Sequence, residues 1–417
     1  MRNKTIFFNN FFSELSSANF LYCIMNGYEN YPDKIESDID IIVESFIDFK
    51  EILLFLSEKL DFQIIQSLNH EYKVSNFFIS KEFEGKAEVL SLDIYEHYLV
   101  NNRILFNSHY FLEGRTKFSN FYIPNKSKGF VYYFVKKIVK LDVNEAIDEL
   151  FHKFKFDISF KDFFHLSYLE IYTSLKNKNK EYFLTNAKFL RKDLFRTTNS
   201  SYKLMIHELS RKIKRVLNPT GLIISFLGPD GSGKSTIINE LDNRDLPFRR
   251  IDYFHLNASV LSKKGDGLPV QNPHKKSFYW GALSYLKLFH FMLEYILGWC
   301  LKVIPLKIKS SLIIFDRYYD DLLVDPKRYR YGGSVSFASM MRFFIPKPEL
   351  YFVLIANKNV IHKRKQEVEI HELERQLKSY NSLIDGKQYI YIDVDREVCE
   401  IVNEIELIIF NKLNERF

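Results

Sequence analysis

The sequence is poor in cysteine, in uninterrupted apolar runs and in any strong excess of one charge. Its three cysteines, Cys23, Cys300 and Cys399, stand far apart with no paired spacing. That argues against a disulfide framework and fits reduced thiols in a cytoplasmic protein. No run reaches the roughly 18 apolar residues of a membrane span. The nearest candidate, residues 280–309, is interrupted by Lys287, His290 and Glu294 at helical spacing. A buried amphipathic helix is expected there, with a membrane-surface helix ending in Lys302, Lys307 and Lys309 as the alternative, and no stable membrane insertion. The opening "MRNKTIFFNNFFSELSS" is broken by Asn, Ser and Glu, without the apolar core and small-residue cleavage site of a signal peptide. The formal charge of +7 is modest for 417 residues. It suits anionic ligands and gives no reason to expect nucleic acid as a partner. Internal repeats and low-complexity tracts are also missing.

What remains is ordinary globular material, 46% hydrophobic and 27% charged, with 40 Phe and 26 Tyr, enough for two or three domains. The strongest boundary is "KRVLNPTG", residues 214–221, where Asn, Pro, Thr and Gly cluster just before a new strand. Residues 1–125 are mixed. "IDIIV" at 39–43 and "VLSLDIYEHY" at 89–98 predict strands, and residues 46–60 predict a helix. Residues 126–216 carry apolar residues at spacings of three and four and predict a helical extension. Residues 219–417 alternate regularly. Strands are expected at 222–227, 312–315, 350–355 and 389–394, with helical patterns between them. That pattern argues an α/β fold with a parallel sheet covered by helices on both faces.

The most informative stretch is "IISFLGPDGSGKST", residues 223–236. Gly228 to Ser235 fit G-x-x-x-x-G-K-[ST] in full, after a strand and before a helix. Such a loop curls through Gly228, Gly231 and Gly233 so that backbone N–H groups, those of Asp230 and Ser232 among them, face a phosphate. The following helix N-terminus adds partial positive charge. Lys234 is expected to reach the β- and γ-phosphates of ATP, Ser235 to offer its hydroxyl to Mg²⁺, and Thr236 to assist. A second strand ends in Asp316 and Arg317 within "SLIIFDRYYDDLLVDPKRYRYGG", residues 311–333. A carboxylate at the carboxyl end of a parallel strand is placed to orient Mg²⁺ or its waters, and Arg317 can grip a phosphate with its planar fork. Farther on, residues 362–380 are densely charged. Lys363, Arg364, Lys365 and Arg375 follow a strand where a phosphoryl-transfer enzyme needs a basic lid.

"FLGPDGSGKST", "FDRYYDDLLVDPKRYRYGG" and "KRKQEVEIHELERQ" together resemble the thymidylate kinase family of P-loop nucleoside-monophosphate kinases. The resemblance covers about residues 219–415 and is closer to thymidylate kinase-like proteins found beside surface-polysaccharide genes. It implies that Asp230 approaches the sugar hydroxyl of the acceptor and that Arg317 holds the acceptor phosphate. It also implies that Arg364 and Arg375 reach the transferred phosphoryl group. Two departures stand out. Residues 252–276 carry His255 and Asn257 where the family has a basic residue, with Lys263, Lys264, His274, Lys275 and Lys276 as substitutes or as a solvated loop. The stretch after Arg317 adds Arg328, Arg330 and two tyrosines on the acceptor side.

In the first part, "MNGYENYPDKIESDIDIIV", residues 25–43, places Asp38 and Asp40 on one face of a strand. Asp93 offers a third carboxylate. Three converging carboxylates can bind Mg²⁺ and clamp a triphosphate. With Gly27 they resemble the nucleotidyltransferase superfamily, although Tyr28 replaces its second small residue. The alternative is a degenerate domain that binds a nucleotide or glycan without chemistry.

The resulting expectation is a P-loop NTPase domain preceded by a nucleotidyltransferase-like α/β domain with a helical extension. Its activity is ATP- and Mg²⁺-dependent phosphoryl transfer. The acceptor is a nucleoside monophosphate or related phosphorylated molecule, or else a sugar or polyol precursor of a surface polysaccharide, on which either a kinase or a nucleotidyltransferase would act. A non-catalytic nucleotide-binding scaffold is the alternative of another class. A homodimer is left open.

Overall fold

The strand "LIISFL" is apolar at five of six positions, and all six residues are buried, as a strand covered on both faces requires. It is the central strand of the second of two compact units into which the chain divides, residues 1–213 with 413–417 and residues 214–412. The computed structural model describes residues 2–35, 38–155, 158–198, 200–260, 277–279, 281–364 and 369–417, without the side chains of 2 and 362–364.

In the first unit, β1 (Tyr22–Asn26), β2 (Asp38–Val43), β3 (Gln63–Glu71), β4 (Val74–Phe83) and β5 (Lys86–Tyr95) form a mixed sheet in the order β1-β2-β5-β4-β3. Only the β2–β5 pair is parallel. Helices α1 (Arg2–Ser17) and α2 (Phe46–Leu60) pack on it through Phe7, Phe8, Phe11, Phe49 and Leu53. The Ser45 hydroxyl caps α2 by accepting the Asp48 N–H at 3.3 Å, and Asp61 ends it in the left-handed conformation. The β3–β4 hairpin and α1 were not foreseen from the sequence. α1 buries Phe7, Phe8, Phe11, Phe12 and Leu15 at helical spacing, and the hairpin buries Ile64, Ile65, Phe77 and Ile79.

The expected helical stretch forms α3 (Lys126–Lys140), α4 (Val143–Lys153), α5 (Tyr168–Lys176), α6 (Lys180–Arg196) and α7 (Tyr202–Leu217). Phe130, Phe134, Ile147, Leu150 and Phe183 from these helices share one core with Cys23, Ile42 and Tyr95 of the sheet.

In the second unit, β6 (Leu222–Leu227), β7 (Arg250–His255), β8 (Ser311–Asp316), β9 (Leu350–Ile355) and β10 (Tyr389–Asp393) form a sheet in the order β7-β8-β6-β9-β10. Every pairing is parallel, and helices cover both faces. They include α8 (Lys234–Asp242), α9 (Gly281–Gly298), α10 (Tyr319–Val324), α11 (Lys358–Arg364), α12 (Ile370–Asn381) and α13 (Val398–Asn414). The chain runs outward from β6 to one side and then returns to the other. The crevice beyond the carboxyl end of β6 is therefore the place where such sheets hold ligands. The amphipathic stretch at 280–309 is α9 followed by a π-helical turn at Trp299–Val303. Its buried face is Leu288, Met292, Glu294 and Tyr295, while Leu286 and Phe289 are exposed. Among the described residues no helix is long and apolar enough to cross a membrane.

Candidate functional site

The register of the parallel sheet assembles the site. Phe226 on β6 pairs with Asp316 on β8, which pairs with His255 on β7. Three strand ends thus deliver the Gly228–Ser235 loop, the strand-end carboxylate and a histidine to one edge. Gly228 lies at φ +143°, Gly231 at +85° and Gly233 at +87°. A Cβ on Gly228 would lie 2.7 Å from the Leu354 carbonyl oxygen, so the loop rests directly on β9 and only glycine fits there.

Around this edge opens a cleft of about 550 Å³, lined by Asp230–Ile237, His255, Asp316, Arg317, Arg328 and Arg396. That volume suits a nucleotide-sized ligand. Lys234 is buried and donates to the carbonyls of Gly228 at 2.7 Å and Pro229 at 2.9 Å, and to the Ser232 hydroxyl at 3.3 Å. Burial, reinforced by the nearby Arg317 charge, lowers its pKa to about 7 against partial opposition from Asp321, Asp230 and Asp316. Burial works to raise the Asp316 carboxyl, but the neighbouring His255 imidazole and the charges of Lys234 and Arg317 outweigh it and hold the group below the usual carboxylate range. His255 Nδ1 lies 3.6 Å from Asp316 Oδ2, while Asp316 Oδ1 is buried with no hydrogen-bond partner among the described residues. Ser235 and Thr236 are exposed at the cleft. An orphaned carboxylate oxygen and a free-standing hydroxyl in one cleft are the oxygen donors a hydrated Mg²⁺ takes alongside phosphates. Asp316 and Ser235 therefore fit that ion.

Arg317 is buried at φ +76°, a left-handed conformation that is uncommon outside glycine. Its backbone N–H donates to Phe226 O at 3.0 Å. This turn aims the guanidinium back over the loop, where Nη2 donates to Asp230 Oδ1 and Nη1 to Asp321 Oδ2, the latter at 3.0 Å. Strain of this kind persists where the surroundings hold it, and it clusters at functional sites. Asp321 is fixed in turn by the Tyr380 hydroxyl of α12 at 2.6 Å. Arg328 Nη1 donates to the other oxygen of Asp230.

The structure does not bring every expected residue to the cleft. Arg375 donates to Glu372 at 2.7 Å and to the Val324 carbonyl at 2.8 Å, so it clasps the α10 end rather than lining the cleft. The side chains of Lys363 and Arg364, and Lys365 with Lys263, Lys264, His274, Lys275 and Lys276, lie outside the described residues. Arg328 was expected on the acceptor side and lines the cleft, whereas two further participants, Asp321 and Arg396, carried no assigned role in the sequence. Asp321 lies in the first turn of α10 while Arg317 precedes the helix in a left-handed conformation, so helical spacing does not account for their pairing. Arg396, whose Nη2 donates to Asp393 O at 3.2 Å, gave no signal either.

The first unit also gathers its expected residues. Parallel register sets Asp40 beside Asp93 and Asp38 beside Ser91. Ser91 donates to Asp38 Oδ1 at 2.8 Å, and Lys136 Nζ lies 3.2 Å from Asp40 Oδ2. Burial, then the negative charges of Asp40 and Asp38, raise the Asp93 carboxyl to about 6. Gly27 has φ +94°, and a Cβ there would lie 2.5 Å from the Asp38 carbonyl oxygen. The turn before β2 is therefore pressed against the strand that carries the carboxylates. Among the described residues no group of three His, Cys, Asp or Glu side chains is arranged to hold a metal ion, and the Lys136 ammonium stands where a cation on Asp40 would. In the same unit a cleft of about 720 Å³ is lined by Lys126, Lys136, Lys137, Lys140, Lys153 and Lys155, with Tyr132 and Tyr133 among them.

No protein-family model and no curated protein matches the sequence. Among solved structures, the chain is similar to the thymidylate kinase of Ehrlichia chaffeensis, with 15% identity over 46% of this chain and 99% of that one, at a TM-score of 0.33. It is also similar to the thymidylate kinase of Candida albicans, with 18% identity over 47% of this chain and 95% of that one, at a TM-score of 0.34.

Proposed function

We propose that residues 219–417 transfer a phosphoryl group from ATP, with Mg²⁺, to a phosphorylated acceptor of the nucleoside-monophosphate kind. The observation that carries this is the convergence of Lys234, Asp316 and Arg317 on one cleft at the end of a parallel sheet. The loop amides and Lys234 hold the donor phosphates, and Lys234 exchanges its hydrogen bonds to Gly228 O and Pro229 O for phosphate oxygens. Ser235 and Asp316 would hold Mg²⁺, which would supply charge neutralisation to those phosphates. Arg317 holds the acceptor so that one of its oxygens lies in line with the γ-phosphorus. The new P–O bond forms as the bond to the β–γ bridging oxygen breaks. Positioning and charge stabilisation provide most of the rate. Purified chain with ATP, Mg²⁺ and a panel of nucleoside monophosphates and sugar phosphates should form ADP and a phosphorylated product, and Lys234→Ala should abolish it. ATP binding without turnover on any acceptor would instead point to a nucleotide-binding scaffold.

For the first unit we infer binding of a phosphorylated ligand in the lysine-lined cleft. The Lys136–Asp40 ion pair favours binding over metal-assisted nucleotidyl transfer. Loss of nucleotide or polyphosphate binding on Asp38→Ala with Asp40→Ala, accompanied by loss of bound Mn²⁺, would restore the catalytic reading.

A further inference from the structure

Two guanidinium groups from different elements meet on one carboxylate. Arg317, at the end of β8, and Arg328, in the segment after α10, each donate to a separate oxygen of Asp230 within the phosphate loop. The two arginines differ in freedom. Arg317 is buried and is fixed on its second nitrogen by the buried Asp321. The side chain of Arg328 retains 21% of its exposure, and its only side-chain hydrogen bond among the described residues is to Asp230. Its backbone is pinned, however. Its N–H donates to Asp325 Oδ1 at 3.1 Å, and the other oxygen of Asp325 accepts Gln376 Nε2 of α12 at 3.1 Å. Only the side chain is left to swing.

We propose that Arg328 is the second half of the acceptor-anion clamp and that the Asp230 carboxylate is a stand-in it releases when a phosphate arrives. This rests on the phosphoryl-transfer reading above for the nature of the anion. A carboxylate and a phosphate present similar forked acceptor geometry to guanidinium, and a phosphate offers more oxygens and a second charge. A phosphate seated between Arg317 and Arg328 would draw Arg328 away and turn the Asp230 oxygen it had held toward the acceptor. Arg328 would thereby select acceptors that already carry a phosphate over neutral sugars and polyols.

The test is calorimetric titration of the full chain with inorganic phosphate in a Lys234→Ala background, which suppresses binding in the loop itself. Arg328→Gln should weaken phosphate by about tenfold or more and Arg328→Lys by less, since the charge survives without the fork. Asp230→Asn should strengthen phosphate by several-fold, because the competing carboxylate is gone. If Arg328 merely tethers the loop, Arg328→Gln and Asp230→Asn will shift phosphate affinity in the same direction, and the proposal falls. It also falls if the background binds no phosphate or if Arg328→Gln stays within about twofold of it. ADP formation by the wild-type chain with MgATP and a phosphorylated acceptor, compared with Lys234→Ala, reports separately on the kinase reading.

Discussion

The two clefts handle charge in opposite ways. At the phosphate loop, two of the charges are met by fixed groups of the chain itself. Lys234 lies on loop carbonyls, and Asp230 lies between two arginines. A ligand there replaces contacts that already exist, on a backbone shaped in advance by glycines. In the first unit, six lysines line one cleft, and two of them are paired, Lys136 with Asp40 and Lys153 with Glu149. That is a distributed field with little preorganised backbone around it. Preorganised donors stabilise a developing charge, whereas a field gathers anions without orienting them. On the reading proposed above, the contrast separates a site arranged to stabilise developing charge from one arranged to hold an anion.

The largest test of this contrast compares one lysine from each cleft. Lys234→Ala should lower phosphoryl-transfer turnover by about 10² or more, as loss of one fixed charge-stabilising donor does. Lys136→Ala should weaken pyrophosphate binding to the first unit by only about three- to tenfold, because five other lysines maintain the field. Equal and large losses in both would erase the distinction.

Glycine offers the next test. Gly228→Ala and Gly27→Ala each force a side chain into a left-handed turn and against a carbonyl, Leu354 O in one case and Asp38 O in the other. Each should destabilise its own unit by about 1–3 kcal/mol in denaturant unfolding. Only the first should also remove ATP binding, since only that glycine belongs to the anion cradle. ATP binding that survives Gly228→Ala would show the loop to be more compliant than its close approach to β9 implies.

The pH dependence of nucleotide binding probes the same preorganisation. Burial leaves Lys234 with a pKa of about 7 before ligand arrives. Donor phosphates favour the charged ammonium and so raise it. Nucleotide affinity should therefore be flat below about pH 7 and fall by up to about tenfold per unit above it. Binding at pH 8 should take up about 0.9 proton, read from calorimetry in buffers of different ionisation enthalpy. A pH-independent affinity from 6.5 to 9 would mean that Lys234 is charged in the empty loop.

Much of the second cleft was legible in the sequence, because a phosphate loop is a local device. Its glycines, Lys234 and the preceding apolar strand occupy consecutive positions, and Asp316 follows from strand-end logic. The partners of Asp230 were harder to find. Arg317 reaches it only because its backbone adopts φ +76°, and Arg328 lies 98 residues away in sequence. Arg375 shows a different limit, for a charged helical run does not reveal which neighbour each side chain clasps. In the first unit, the three carboxylates were legible as a pattern, and the strand register confirmed that Asp40 and Asp93 are neighbours. Lys136 was not legible as their partner, because it arrives from α3 through packing of the helical extension on the sheet.

The smallest expected effect concerns that carboxylate group. Burial and the charges of Asp40 and Asp38 raise Asp93 to about 6. An acid whose native pKa lies above its unfolded value holds more protons in the native state between about pH 4 and 6. Its contribution to stability is therefore present at low pH and fades as pH rises through 6. Asp40→Asn removes the nearest negative charge and also frees Lys136 to turn toward Asp93. Both changes lower the Asp93 pKa, by a few tenths to about one unit in a carboxyl-carbon NMR titration, and flatten the decline in stability. Lys136→Met acts in the other direction: it leaves Asp40 uncompensated, raises Asp93 further and exposes the pair to a divalent cation. If Lys136→Met then binds Mn²⁺ and the wild-type chain does not, the lysine is the element that keeps this cleft from holding metal. If neither binds Mn²⁺, the spacing of the three carboxylates is itself the obstacle, and the contrast between the clefts is set by the strands rather than by one helix residue.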